Sequence, residues 1–138
     1  MEAVYFGSSR EWGRGSGSGP WVMADLEDGL WAGNVTPTLS NQPLNFPFVT
    51  AMVKGGSNGF ALKGGDATTG TLTTMFDGPR PVGYQPMKKQ GSLILGIGGD
   101  NSDEAIGTFY EGCVVSGYSE DNIDDEVQKN IVGVGYGK

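Results

Sequence analysis

Short apolar runs, broken at close intervals by glycine and proline, leave this chain little room for long helices. Glycine supplies 25 of the 138 residues, against a usual share of about 7%. Between the breaks lie runs rich in Val, Thr, Ile and aromatic residues, the composition of strands. Ala3-Val-Tyr-Phe6 is the first run and Trp21-Val-Met-Ala-Asp-Leu-Glu27 the second. Phe48–Lys54 and Gly59–Lys63 flank Gly55-Gly-Ser-Asn58, a hairpin pattern. Thr71–Phe76 follows, closed by Asp77-Gly-Pro79. Ser92–Ile97 is the most apolar run and reads as a central strand, and Thr108–Val115 reads as another. Gly13–Pro20 taken alone has the composition of a flexible linker. Residues 33–47, with Pro37, Pro43 and Pro47, read as a loop.

Only the tail has a helical period. Ile123, Val127 and Ile131 are spaced four apart behind Glu120, Asp121, Asp124 and Asp125, an acidic start suited to a helix N-terminus. Gly133 and Gly135 are expected to stop it. The expected fold class is all-β, an antiparallel β-sandwich of two sheets packed face to face, with one short C-terminal helix outside.

Charge and composition exclude several function classes. The net charge is −7, and the nine Lys and Arg residues stand singly apart from Lys88-Lys89. No basic patch exists to neutralise phosphates, so neither nucleic acid nor a membrane surface is an expected partner. No run approaches the roughly 20 apolar residues of a membrane-spanning helix, and the N-terminus lacks the apolar core of a signal peptide. Without histidine, Ser-His-Asp and Cys-His catalysis are both excluded. Neither a metal nor a cofactor is expected. The single cysteine, Cys113, lies in a strand-like run and is expected to be buried packing. Asn34-Val-Thr36 is a formal glycosylation sequon in the loop.

What remains is carboxylate chemistry. Alternation along the second run puts Trp21, Met23, Asp25 and Glu27 on one face and Val22, Ala24, Leu26 and Asp28 on the other. Asp25 and Glu27 then sit with Cα atoms about 6.6 Å apart from strand rise. Enclosing both costs desolvation and repulsion that a functional site would justify; the other reading is a solvated face with Trp21 at its edge. Gly96-Ile-Gly-Gly-Asp-Asn101 ends an apolar strand in glycines and brings Asp100 to its rim, or else it is an ordinary turn. Glu111 is a third strand carboxylate able to stand in for either. The glycine clusters are not dinucleotide fingerprints, because no βαβ unit surrounds them, and residues 100–104 lack the spacing of a calcium loop.

Four strings go further. Met1-Glu-Ala-Val-Tyr-Phe-Gly7, Gly19-Pro-Trp-Val-Met-Ala-Asp-Leu-Glu27, Leu95-Gly-Ile-Gly-Gly-Asp-Asn-Ser102 and Gly107-Thr-Phe-Tyr-Glu-Gly112 closely resemble glycoside hydrolase family 54. Val114–Tyr118 and Val127–Val132 continue the likeness, which covers nearly the whole chain in order. The resemblance implies a secreted retaining α-L-arabinofuranosidase with a jelly-roll or concanavalin-like catalytic sandwich. It implies Glu27 as nucleophile and Asp100 as general acid/base, with Asp25, Asp28, Gly29 and Gly99 holding the sugar and Trp12 forming an aromatic wall. Such enzymes need two carboxyl groups about 5–5.5 Å apart. The implied substrate is an arabinose-bearing plant polysaccharide such as arabinoxylan or arabinan.

The chain also departs from the family pattern. Position 28 is usually Asn, so Asp28 adds a charge beside the nucleophile, and the loop from Gly33 to Phe46 is rearranged. The family's catalytic domain is about twice this length, and its other half carries further strands and a vicinal cysteine pair lining the pocket. By that resemblance residues 1–138 are the C-terminal part of one sandwich, without the arabinose-binding β-trefoil that follows it. Exposed strand edges would then favour self-association. The alternative to an enzyme is a carbohydrate-binding sandwich that keeps pocket residues without turnover.

Overall fold

The computed structural model describes residues 2–26, 29–84 and 105–138. Two three-stranded antiparallel sheets face each other. The first is ordered β1 (Ala3–Gly7), β2 (Trp21–Asp25), β3 (Leu30–Trp31), and the second β4 (Val49–Gly55), β5 (Gly59–Asp66), β6 (Thr73–Pro79). One helix, α1 (Asp121–Val134), completes the described elements. The β-sandwich expectation holds, and the hairpin falls where the glycines put it: Gly56 N–H donates to the Gly59 carbonyl at 2.9 Å. Ser92–Ile97, expected as a central strand, lies outside the described residues.

The alternation in β2 sets the layering. Val22, Ala24 and Leu26 meet Phe60, Leu62, Leu44 and Met75 in the core between the sheets. Trp21 and Met23 point the other way, into a second cluster with Tyr5, Leu30 and Ala32. Each large side chain so enclosed contributes about 1.5–3 kcal/mol. The sheets close up at Gly64, where a Cβ would stand 2.4 Å from Leu44 Cδ1 and 3.0 Å from Val22 Cγ2.

The far face of the second sheet carries α1 and is held by charge. Lys63 Nζ lies 2.6 Å from Asp121 Oδ1 and 2.7 Å from Asp124 Oδ2, and Lys54 Nζ lies 2.7 Å from the same Asp124 oxygen. Ser119 Oγ donates to the other Asp124 oxygen at 2.5 Å, and Gln128 Nε2 donates to the Asp66 carbonyl at 2.8 Å. Burial works against the charge on Lys63, but hydrogen bonds to Asp121 and Asp124 outweigh it and raise the pKa. Burial likewise opposes ionisation of Asp124, yet the bonds from Lys54, Lys63 and Ser119 bring its carboxyl below the ordinary value.

Four expectations need correction. The buried face of α1 is Asp124 and Gln128, while Ile123 is 51% exposed; the ionic anchor rotates the helix away from an Ile123-centred stripe. Gly133 stays inside the helix, and Gly135, at φ +82°, ends it. Thr108–Val115 forms no strand and is exposed throughout; none of the described strands pairs with it, and β-propensity alone does not make a strand. Cys113 is therefore exposed and free, not packed in a core.

Candidate active site

β2 ends at Asp25, opposite Ala3 of β1 and Leu30 of β3. Asp25 is only 6% exposed, and Trp21 and Met23 on its face are fully enclosed. The solvated-face reading therefore fails for Trp21, Met23 and Asp25. A carboxylate so enclosed must be satisfied by its surroundings, and Asp25 is not without a partner.

Between β2 and β3, Leu26 N–H donates to the Gly29 carbonyl at 3.2 Å. Gly29 adopts φ +126°, and a Cβ there would sit 2.9 Å from Trp12 Cδ1. The indole of Trp12 lies against Gly29 and is 38% exposed, so part of the ring stays open to solvent. Gly13 presses on the next residue: its Cβ would fall 2.0 Å from the Leu30 carbonyl oxygen. Three expected site residues, Trp12, Asp25 and Gly29, are thus gathered at one end of the first sheet. Glu27, Asp28, Gly99 and Asp100 lie outside the described residues. Glu111 is engaged elsewhere, accepting the Tyr136 hydroxyl at 2.6 Å beside the rings of Phe48 and Tyr110.

Residues that the sequence did not single out hold this end together. Trp21 Nε1 donates to the Ser16 carbonyl at 2.7 Å, pinning the glycine-rich segment that would otherwise read as a linker. Arg10 Nη2 donates to the Gly17 carbonyl at 2.8 Å, and its guanidinium lies 5.7 Å from the Trp21 ring centre. Ser9 N–H donates to the Tyr5 hydroxyl at 3.3 Å. Asn41 is fully buried, and its Nδ2 donates to the Val22 carbonyl at 2.8 Å and the Ala32 carbonyl at 3.1 Å. Nothing local in the sequence marks Asn41, which sits in a polar, proline-bearing loop. The described arrangement brings an enclosed acidic side chain, Asp25, and a partly open indole, Trp12, to the same end of the first sheet.

Residues 1–137 match the family described as "Alpha-L-arabinofuranosidase B, catalytic". An α-L-arabinofuranosidase of Hypocrea jecorina is 52% identical over 99% of this chain and 28% of its own length. A probable α-L-arabinofuranosidase B of Aspergillus fumigatus is similar to the same extent, 52% over 99% and 28%. Among solved structures, a Glu-to-Gln variant of a GH54 α-L-arabinofuranosidase soaked with 4-nitrophenyl α-L-arabinofuranoside is similar at TM-score 0.89 and 47% identity, over 98% of this chain and 29% of that one. An arabinofuranosidase complexed with arabinofuranosyl-α-1,2-xylobiose is similar with the same TM-score, identity and coverage. The chain spans less than a third of the length of these relatives.

Proposed function

The chain belongs to the α-L-arabinofuranosidase B catalytic family, and from that premise we propose that it serves a retaining glycoside hydrolase that releases terminal α-L-arabinofuranosyl groups from arabinoxylan- or arabinan-type polysaccharides. The family match over nearly the whole chain carries this reading. The enclosed Asp25 and the partly open Trp12 indole at the same end of the first sheet support it.

In the proposed mechanism Glu27 attacks the anomeric carbon, forming an arabinosyl-enzyme ester as the glycosidic bond breaks. Asp100 protonates the departing oxygen, then takes a proton from the water that hydrolyses the ester. Asp25, Asp28, Gly29 and Gly99 hold the sugar, and Trp12 walls the pocket. We also propose that residues 1–138 form one part of a larger catalytic sandwich acting outside the cell. Ile106 at 97% exposure and Val115 at 70% support the first point, since such an apolar run seeks a partner. For the isolated chain the proposed partner is a second copy.

The test is hydrolysis of 4-nitrophenyl α-L-arabinofuranoside by the chain beside Glu27→Gln and Asp100→Asn. Loss of a nucleophile or general acid is expected to cost on the order of a hundredfold or more. Unchanged turnover in Glu27→Gln would overturn the assignment. Sugar binding without turnover in the parent chain would favour the carbohydrate-binding alternative.

A further inference from the structure

Asn41 occupies the place of a missing strand rung. The β2–β3 register sets Ala24 opposite Trp31 and Asp25 opposite Leu30, so an unbroken β3 would bring Gly33 opposite Val22. The chain instead leaves the ladder after Trp31, and Gly33 packs against Thr38, whose Oγ1 lies 2.4 Å from where a Cβ would be. Both hydrogens of the Asn41 amide fill the gap, one to the Val22 carbonyl and one to the Ala32 carbonyl. The two facing carbonyls fix which end of the amide points at them.

The Asn41 backbone reaches a third segment. Its carbonyl accepts Ser16 N–H at 2.8 Å, and its N–H donates to the Thr38 carbonyl at 3.2 Å while Thr38 N–H donates to the Arg14 carbonyl at 3.0 Å. Gly15 closes on this residue, for a Cβ there would stand 2.2 Å from the Asn41 carbonyl oxygen. Asn41 therefore joins β2, the exit of β3 and residues 13–16, the segment that follows Trp12. These three segments all meet at the one buried residue.

We propose that Asn41 is a positioning residue that holds Trp12 in register with Gly29 and so with the sugar-binding end of β2. The inference rests on the arabinofuranosidase reading for its functional consequence, but the register itself is measurable alone. Amide exchange followed by NMR on the 138-residue chain compares the parent with Asn41→Ala and Asn41→Asp, the latter keeping the volume and losing the two donors. In both variants exchange at Leu26 and Ser16 is expected to accelerate by about tenfold or more, with β4–β6 and α1 within about twofold. On 4-nitrophenyl α-L-arabinofuranoside, KM is expected to rise by about tenfold and kcat to change less, since the aromatic wall acts in binding. Unchanged exchange at Leu26 would overturn the proposal, as would equal acceleration across β4–β6 in both variants, or kinetics like the parent's. If the parent neither binds nor cleaves the glycoside, the activity reading falls, and exchange at Leu26 still decides the role of Asn41.

Discussion

The second sheet is covered on its two faces by opposite means. Toward the first sheet it presents Phe60 and Leu62, which pack on Val22, Ala24 and Leu26. Toward α1 it presents Lys54 and Lys63, which meet Asp121 and Asp124. The apolar interface draws its strength from removed water and depends little on pH. The ionic one must offset the desolvation of its charges with well-placed partners, so it is specific in register and sensitive to protonation. One strand, β5, supplies both from alternate positions.

The comparison breaks most sharply when each interface loses its centre. Phe60→Ala is expected to destabilise the fold by about 3–5 kcal/mol through the cavity it leaves, measured by urea unfolding. Asp124→Ala is expected to cost about 3–5 kcal/mol, toward the lower end because Asp121 remains within reach of both lysines. The two should differ in kind: the first loosens the whole sandwich, whereas the second releases α1 first, visible as amide exchange confined to the helix.

Next in size is the response to pH. Because Asp124 and Asp121 are held below their ordinary values, the stability they give is complete above the unfolded carboxyl pKa of about 3.9 and is lost as pH falls further, through the lowered folded values. Lys63 works in the opposite sense, its contribution complete below about 10.4 and lost as pH rises through the raised folded value. Unfolding midpoints measured across the acid range should show a flatter acid limb in Asp124→Asn than in the parent, and Phe60→Ala should leave that limb unaltered.

Smaller effects sharpen the contrast. Gly64→Ala, placed against Leu44 and Val22, is expected to cost about 1–3 kcal/mol by overpacking, read from the thermal midpoint. Gly135→Ala is expected to cost about 1–2 kcal/mol, because its φ of +82° penalises a Cβ. Its effect should appear as fraying of the last helical turn and leave the sheets untouched.

How far each interface could be read in the sequence follows from the same physics. The faces of β2 were legible because alternation of Trp21, Met23 and Asp25 with Val22, Ala24 and Leu26 is a local pattern. The span of α1 was legible too, from its acidic start and Gly135. Its docking face was not, because Asp124 and Gln128 read as solvent-facing until Lys54 and Lys63 are brought beneath them from the distant β4–β5 hairpin. Thr108–Val115 has strand composition, but composition cannot supply a ladder partner. Around the site, enclosure of Asp25 was one of two readings that alternation allowed. The place of Trp12 and Gly29 at the site came only from the family resemblance, and their contact and the role of Asn41 had no signal at all. A side chain that replaces a backbone rung leaves no period to detect.

The outward placement of Cys113 has a practical consequence. As the sole thiol in the chain, lying free at the surface, it offers one site for covalent attachment. A maleimide dye or a solid support can be fixed there without opening either sheet. In air the same sulfur can couple two chains into a disulfide-linked pair, so samples kept under reductant and samples left to oxidise are different materials.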